Sequence, residues 1–166
     1  MRVVIIGGKG HVGTYLVPRL IEAGHTVINV SRGDHQPYQP HPAWQQVRQV
    51  TLDRAACEAD GVFGERIAAL EPDAVIDMIC FTLESAKHLV ESLRGRVQHL
   101  LHCGTIWVHG HTVMAPTTED QPRRPFGEYG EQKAAIEAYL LGEARRNGFP
   151  ATVLHPGHIV GRGWNP

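Results

Sequence analysis

The chain opens with an apolar segment, Val3-Val4-Ile5-Ile6, that runs directly into Gly7-Gly8-Lys9-Gly10-His11-Val12-Gly13. A run of β-branched residues favours a buried strand, and glycines three apart after it favour a tight turn that opens a helix. Residues this small let the backbone turn, let a pyrophosphate approach a helix N-terminus, and let the helix pack closely on the strand. Residues 14–23 extend the pattern as a helix, with Leu16, Val17, Leu20 and Ile21 on one face and Gly24 closing it. A second apolar strand at 26–30 ends at Ser31-Arg32. These are the lengths of a mononucleotide-binding unit, so Gly7, Gly10 and Gly13, with His11 and Val12 between them, are the expected pyrophosphate contacts. A tight turn without a ligand is the alternative reading of the same glycines. The spacing Gly7-x-x-Gly10-x-x-Gly13 also differs from the G-x-G-x-x-G of the ordinary dehydrogenase fingerprint.

Strand and helix patterns then alternate without an internal repeat. Strands are expected over residues 46–50, 74–79, 97–103 and 151–155, and helices over 62–70, 84–93 and 126–146. Such alternation implies a doubly wound α/β domain of Rossmann type, with about six parallel strands, right-handed crossovers and helices on both faces. A chain of 166 residues holds one such core, so residues 1–166 read as a single domain. Residues 33–43 and 106–125 are irregular, and loops of that length in a compact domain are commonly functional or flexible. A formal net charge of −1 provides no basic field for nucleic acid, which points to small-molecule partners. The first apolar run is too short for a signal peptide or a membrane span, and a cytoplasmic protein is expected. Cys57, Cys80 and Cys103 are odd in number and scattered, as reduced thiols would be.

Chemistry is carried by two further segments. Tyr129-Gly130-Glu131-Gln132-Lys133 places a phenol and an ammonium at i, i+4 on one helix face. A phenol needs its pKa lowered by roughly 3 units, about 4 kcal/mol, to act as a base near neutral pH, and a close ammonium helps supply that field. Lys133 would also hold the ribose of a nicotinamide nucleotide. The same spacing is common on ordinary amphipathic helices. The second segment is the strand that ends at Cys103 and delivers the Thr105 hydroxyl to the carboxyl edge of the sheet, where it would orient a substrate oxygen beside Tyr129. A threonine that only stabilises its turn is the other reading. Histidines recur at His99-x-x-His102, His109-x-His111 and His155-x-x-His158, but His99 and His102 would face opposite sides of a strand and no carboxylate completes a set, so no metal is expected. His102, His109 and His158 read as polar residues at the mouth of the site, and His25, His35, His41 and His88 as surface residues.

Together these pieces resemble the extended branch of the short-chain dehydrogenase/reductase superfamily, the NAD(P)-dependent epimerases and dehydratases acting on nucleotide sugars. The likeness runs along the whole chain: Gly7/Gly10/Gly13, Asp53 after the third strand, Thr105 before Gly110, Tyr129/Lys133, and His155-Pro156-Gly157-His158 occur in family order. The resemblance implies hydride transfer between a nicotinamide cofactor and a hydroxyl or carbonyl carbon of a sugar-like substrate, with Thr105, Tyr129 and Lys133 catalytic. It further implies that Asp53, Met78 and Cys80 contact the cofactor, that Pro156 and His158 approach the nicotinamide, and that a homodimer is possible.

The cofactor is expected to be NADP(H), with NAD(H) possible. An NAD-selective site puts a carboxylate at the end of the second strand, whereas this chain has Ser31 followed by Arg32, a donor pair suited to a 2′-phosphate. Asp34 nearby would partly restore NAD binding. Departures from the family pattern narrow the activity. Thr105 is followed by Ile106-Trp107 where dehydratases carry Asp-Glu, which disfavours water elimination, and the family's usual tyrosine and arginine are replaced by His109 and His155. These changes, with the Gly-Arg-Gly-Trp-Asn-Pro ending, are also similar to a divergent bacterial and plastid group, some of whose members associate with RNA, so a non-catalytic NADP-binding or RNA-associated scaffold is the alternative. Members of the extended branch run to roughly twice this length, and the chain stops just after its sixth expected strand. A fragment without the C-terminal substrate domain is therefore expected, or else a minimal relative that borrows substrate contacts.

Overall fold

The computed structural model describes residues 1–111 and 115–162. The 161–166 ending therefore lies outside the described residues beyond Arg162, as do residues 112–114 of the second irregular stretch. Six strands, β1 (Arg2–Ile6), β2 (Thr26–Ser31), β3 (Arg48–Thr51), β4 (Ala74–Asp77), β5 (His99–Cys103) and β6 (Ala151–Leu154), form one parallel sheet in the order β3-β2-β1-β4-β5-β6. The order reverses between β1 and β4, which opens a crevice at the carboxyl ends of these central strands. β1 is apolar on both sides because it is covered on both. Val3 and Ile5 pack with Val17 of α1 (His11–Glu22), whereas Val4 and Ile6 join the larger core. That larger core is covered by α3 (Phe63–Ala68), α4 (Leu83–Leu93) and α5 (Gly127–Asn147). Among the described residues, no helix is long and apolar enough to cross a membrane.

Several boundaries differ from expectation, each for a local reason. α1 starts at His11 rather than residue 14, because the Gly10 carbonyl already accepts the Thr14 N–H at 2.9 Å and Gly13 falls inside the helix. Gly24 follows its C-cap with φ of +80°, the left-handed conformation that ends helices. β3 begins at Arg48, since Pro42–Gln46 coils into a 3₁₀ turn capped by the His41 imidazole. A helix absent from the sequence reading, α2 (Arg54–Ala59), is started by Asp53, whose carboxylate accepts the Ala56 N–H. β4 stops at Asp77, two residues early, because the Asp77 carboxylate accepts the Ile79 N–H at 3.2 Å and turns the chain.

Candidate functional site

The glycine turn joins β1 to α1 at the crevice. Gly7 has φ of +84°, and a Cβ there would lie 2.7 Å from the Ile79 side chain. The Gly8 N–H donates to the buried Asn29 side chain at 2.9 Å, and Asn29 in turn donates to Gln49 at 2.8 Å, so β2 and β3 brace the turn. A polar residue inside an apolar strand was the signal for this brace. Gly13 is the tightest point, because a Cβ there would sit 2.0 Å from the Gly8 carbonyl oxygen. Gly10 is exposed with an ordinary φ of −73°, and a Cβ would meet only the Gly7 oxygen at 3.5 Å. The fold therefore needs Gly7 and Gly13, while Gly10 keeps the helix N-terminus open. No acidic side chain occupies the first turn of α1 and no side chain caps it, so its N-terminal dipole favours an anion.

Gly7 and Gly10 face a groove of about 940 Å³ that also reaches Ser31, Arg32 and Asp53. His11 and Val12 form the first turn beside it, with His11 next to the Tyr38 ring at 5.4 Å. Lys9, which sequence reasoning passed over, lines the same groove and adds a second cation to Arg32. Arg32 is paired with Asp34 at 3.2 Å, both side chains being more than half exposed, so Asp34 engages the arginine. The groove wall is fastened by Arg54, whose Nη1 donates to both Asp77 oxygens at 2.9 Å and whose Nε donates to Glu58 at 2.7 Å. Burial opposes charge on Arg54, yet Asp77 and Glu58 raise its pKa further above the ordinary value. Met78 and Cys80, expected to contact the cofactor, are not among the groove-lining residues: Met78 packs into the core beside α1, and the Cys80 thiol is buried against the Thr82 carbonyl. The turn after Asp77 presents Ile79, Phe81 and Thr82 instead. Burial, with Asp77 nearby, pushes the Cys80 thiol up to about 12 and keeps it protonated.

Tyr129 and Lys133 share a face of α5, as their spacing requires. Tyr129 is 46% exposed, whereas Lys133 is 2% exposed and donates from Nζ to the Cys80 carbonyl at 2.8 Å and the Cys103 carbonyl at 2.7 Å. This places the ammonium 5.9 Å from the Tyr129 ring centre and 5.1 Å from that of Phe81. Burial lowers the Lys133 pKa from its ordinary value, and the surrounding acidic groups oppose that shift. Thr105 is buried and caps a second 3₁₀ turn, Ile106–His109, by accepting the Trp107 N–H at 3.3 Å. Capping uses the oxygen as an acceptor and leaves the hydroxyl proton to donate.

Pro156 and His158 lie outside the dinucleotide groove. The Pro156 carbonyl accepts the Ile106 N–H at 3.1 Å, and exposed His158 lines a second cleft of about 410 Å³ with Trp107, Phe126, His109 and His155. Two of the three histidines assigned to the mouth of the site are buried. His102 lies in the core beneath α5 at 2% exposure, its pKa pushed down to about 3 by burial and by Lys133, because the alternation of β5 turns it inward with Leu100. His109 is buried too, and burial with nearby Arg123 lowers its pKa.

Comparison with known proteins gives the same picture. A 2′-dehydrokanamycin reductase of Streptomyces kanamyceticus is 34% identical over 137 residues, covering 82% of this chain and 37% of the reductase. A UDP-glucose 4-epimerase of Streptomyces lividans is 26% identical over 178 residues, covering 95% of this chain and 52% of the epimerase. The chain thus spans about half the length, or less, of these curated relatives. Among solved structures, UDP-glucose 4-epimerase from Thermotoga maritima with UDP-glucose superposes with a TM-score of 0.77 at 24% identity, over 93% of this chain and 55% of that one. UDP-glucose 4-epimerase from Brucella ovis in complex with NAD gives 0.74 at 19% identity, over 93% and 51%. At these identities the structural likeness is one of fold. The sequence profile of one family runs through the glycine turn, the Tyr129/Lys133 helix and the end of the sheet, matching residues 3–166, and the chain belongs to that NAD dependent epimerase/dehydratase family.

Proposed function

We propose that this chain binds NADP(H) and forms the cofactor half of an oxidoreductase or epimerase that acts on a hydroxyl or carbonyl carbon of a sugar. The observation that carries the reading is the single groove joining the glycine turn, Ser31-Arg32 and Asp53, three segments far apart in sequence. The residues fit a dinucleotide: the exposed Gly10 leaves space over an uncapped helix N-terminus, and Lys9 and Arg32 supply cations for a 2′-phosphate. When bound, the nicotinamide supplies a hydride acceptor and donor.

The protein groups handle the proton. Tyr129 Oη exchanges it with the reacting oxygen, and the buried Lys133 ammonium stabilises negative charge on that phenol as the proton leaves. The Thr105 hydroxyl proton is free to hold the substrate oxygen in place. Epimerisation uses this proton transfer twice, once as the hydroxyl becomes a carbonyl and once as that carbonyl is reduced from the other face of the ring, whereas reduction uses it once. The second cleft supports a polyhydroxylated ring as substrate. Trp107 and Phe126, with ring centres 5.1 Å apart, offer an apolar face, and the exposed His158 imidazole beside them offers hydrogen bonds to hydroxyls. The substrates named for the reductase and epimerase relatives, 2′-dehydrokanamycin and UDP-glucose, agree with that class.

Fluorescence titration with NADPH and NADH tests the cofactor assignment. Arg32→Ala should weaken NADPH binding by roughly 1.5 kcal/mol, the lower end for hydrogen bonds to charged groups because Arg32 is 61% exposed, and leave NADH nearly unchanged. Tighter binding of NADH than of NADPH by the unmodified chain refutes the assignment.

A further inference from the structure

Glu137 lies one helical step beyond Lys133 and two beyond Tyr129 on the same stripe of α5, and the proposed chemistry makes no use of it. It is buried, and its charge is met from two sides. Arg123 Nε and Nη2 donate to Oε1 at 2.9 and 2.6 Å, and His155 Nε2 lies 2.8 Å from Oε2. A carboxylate only accepts, so His155 donates through Nε2, and in the neutral ring Nδ1 is left as an acceptor. His109 Nε2 lies 3.4 Å from that Nδ1, with the rings edge to face at 5.2 Å, so His109 donates in turn. With both rings neutral, the ionised carboxylate therefore sets the tautomer of both histidines.

These contacts tie together the segments that carry the candidate site. Arg123 also donates to the Glu119 and Gln121 carbonyls at 2.7 Å, which folds the loop before α5 onto the same carboxylate. His155 follows β6 directly and precedes Pro156, whose carbonyl holds the first residue of the 3₁₀ turn that Thr105 caps. His109 is the last residue of that turn. Both ends of the Thr105 turn are thus fastened to the end of β6, and the end of β6 is fastened to α5 at Glu137.

We propose that Glu137 is a positioning residue, which through His155 and His109 locks the turn presenting Thr105 onto the helix presenting Tyr129 and Lys133. The inference rests on the reading of those three residues as the acid/base and nicotinamide end of the site. Arg123 donates to neither histidine; it neutralises the other carboxylate oxygen and holds the loop before α5.

The test uses the full chain with Glu137→Gln, His155→Gln and the double variant. Calorimetry measures NADPH, which reaches the nicotinamide end, and 2′,5′-ADP, which fills only the adenosine end. Long-range ¹⁵N–¹H spectra report the imidazole tautomers. Glu137→Gln should weaken NADPH by about tenfold while 2′,5′-ADP stays within about twofold. The double variant should be no worse than the poorer single, because both remove one connection. His155 and His109 should be Nε2–H tautomers in the unmodified chain, and His155 should lose that preference in Glu137→Gln. Equal losses for both ligands, additive losses in the double variant, or unchanged tautomers in Glu137→Gln overturn the inference. Should Glu137→Gln fail to fold, His155→Gln gives the same split or refutes it. An unmodified chain that binds neither nucleotide removes the cofactor reading, and the tautomer spectra then decide the role of Glu137 alone.

Discussion

Replacing Gly13 and Gly10 by alanine separates the packing role of the glycines from their role toward a ligand. At Gly13 the new Cβ would lie 2.0 Å from the Gly8 oxygen and 2.5 Å from the Gly8 carbonyl carbon, against 3.4 Å or more for ordinary contact. The obstacle is backbone, so α1 and the turn must part by about 1.4 Å, an overpacking that costs up to about 3 kcal/mol. Alanine recovers up to about 1 kcal/mol through helix propensity, which leaves a net loss of about 2 kcal/mol. For a chain of this size that lowers Tm by about 4–8 °C. At Gly10 the Cβ meets one atom at 3.5 Å and φ is ordinary, so the loss should stay below about 1 kcal/mol, reflecting only the poorer capping by alanine. The same methyl projects over the helix N-terminus and should weaken NADPH at least about tenfold. Differential scanning fluorimetry and NADPH titration on both variants measure the two effects. A Gly13→Ala protein that melts with the unmodified chain, or a Gly10→Ala protein that is the less stable of the two, refutes the reasoning.

Lys133→Met should cost about 2–4 kcal/mol in urea unfolding, because the Cys80 and Cys103 carbonyls lose their common donor in a buried site, and NADPH binding should fall as well. Retention of full stability would show that water replaces the ammonium. His102 gives stability a pH dependence: its pKa falls from 6.5 in the unfolded chain to about 3 in the fold, so the unfolded state takes up the proton first. Its contribution is complete above the unfolded value and is lost as pH drops toward the folded one, by up to about 1.4 kcal/mol per pH unit between about pH 6 and about pH 4. Urea midpoints should show His102→Leu with a shallower dependence than the unmodified chain over that window, and identical slopes would exclude His102 as the cause.

The glycine turn was legible because its requirements are local: a positive φ at Gly7 and a close approach at Gly13 each depend on residues within one strand, turn and helix. The parallel sheet followed from apolar runs spaced by helices, and the i, i+4 geometry of Tyr129 and Lys133 needed nothing beyond α5. What escaped depended on partners distant in sequence. The Asp77 carboxylate that turns the chain at the Ile79 N–H is held by Arg54 from α2, a helix of six residues and therefore too short to show an amphipathic period. That contact turns Ile79 into the groove and leaves Met78 and Cys80 out of it. His102 was assigned to the mouth on its polarity, although strand alternation puts it on the side of Leu100. Lys9 sat in plain view between two glycines, yet its place in the groove depends on where β2 ends. The Glu137 connection joins residues 14 to 18 positions apart, and one further link joins His109 to His155 across 46.

The place of β1 at the middle of the sheet bears on how the chain emerges from a ribosome. β1 pairs with β2 on one side, a partner available once residue 30 has been made, but its other side waits for β4 at residues 74–77. Until then Val3, Val4, Ile5 and Ile6, all nearly inaccessible in the fold, present an unpaired apolar edge. At about 5–20 residues per second, that edge stays open for several seconds of synthesis, during which it is a template for pairing with other chains. A nascent chain stalled before residue 74 should therefore be held by chaperones, and one stalled well past residue 77 should be released.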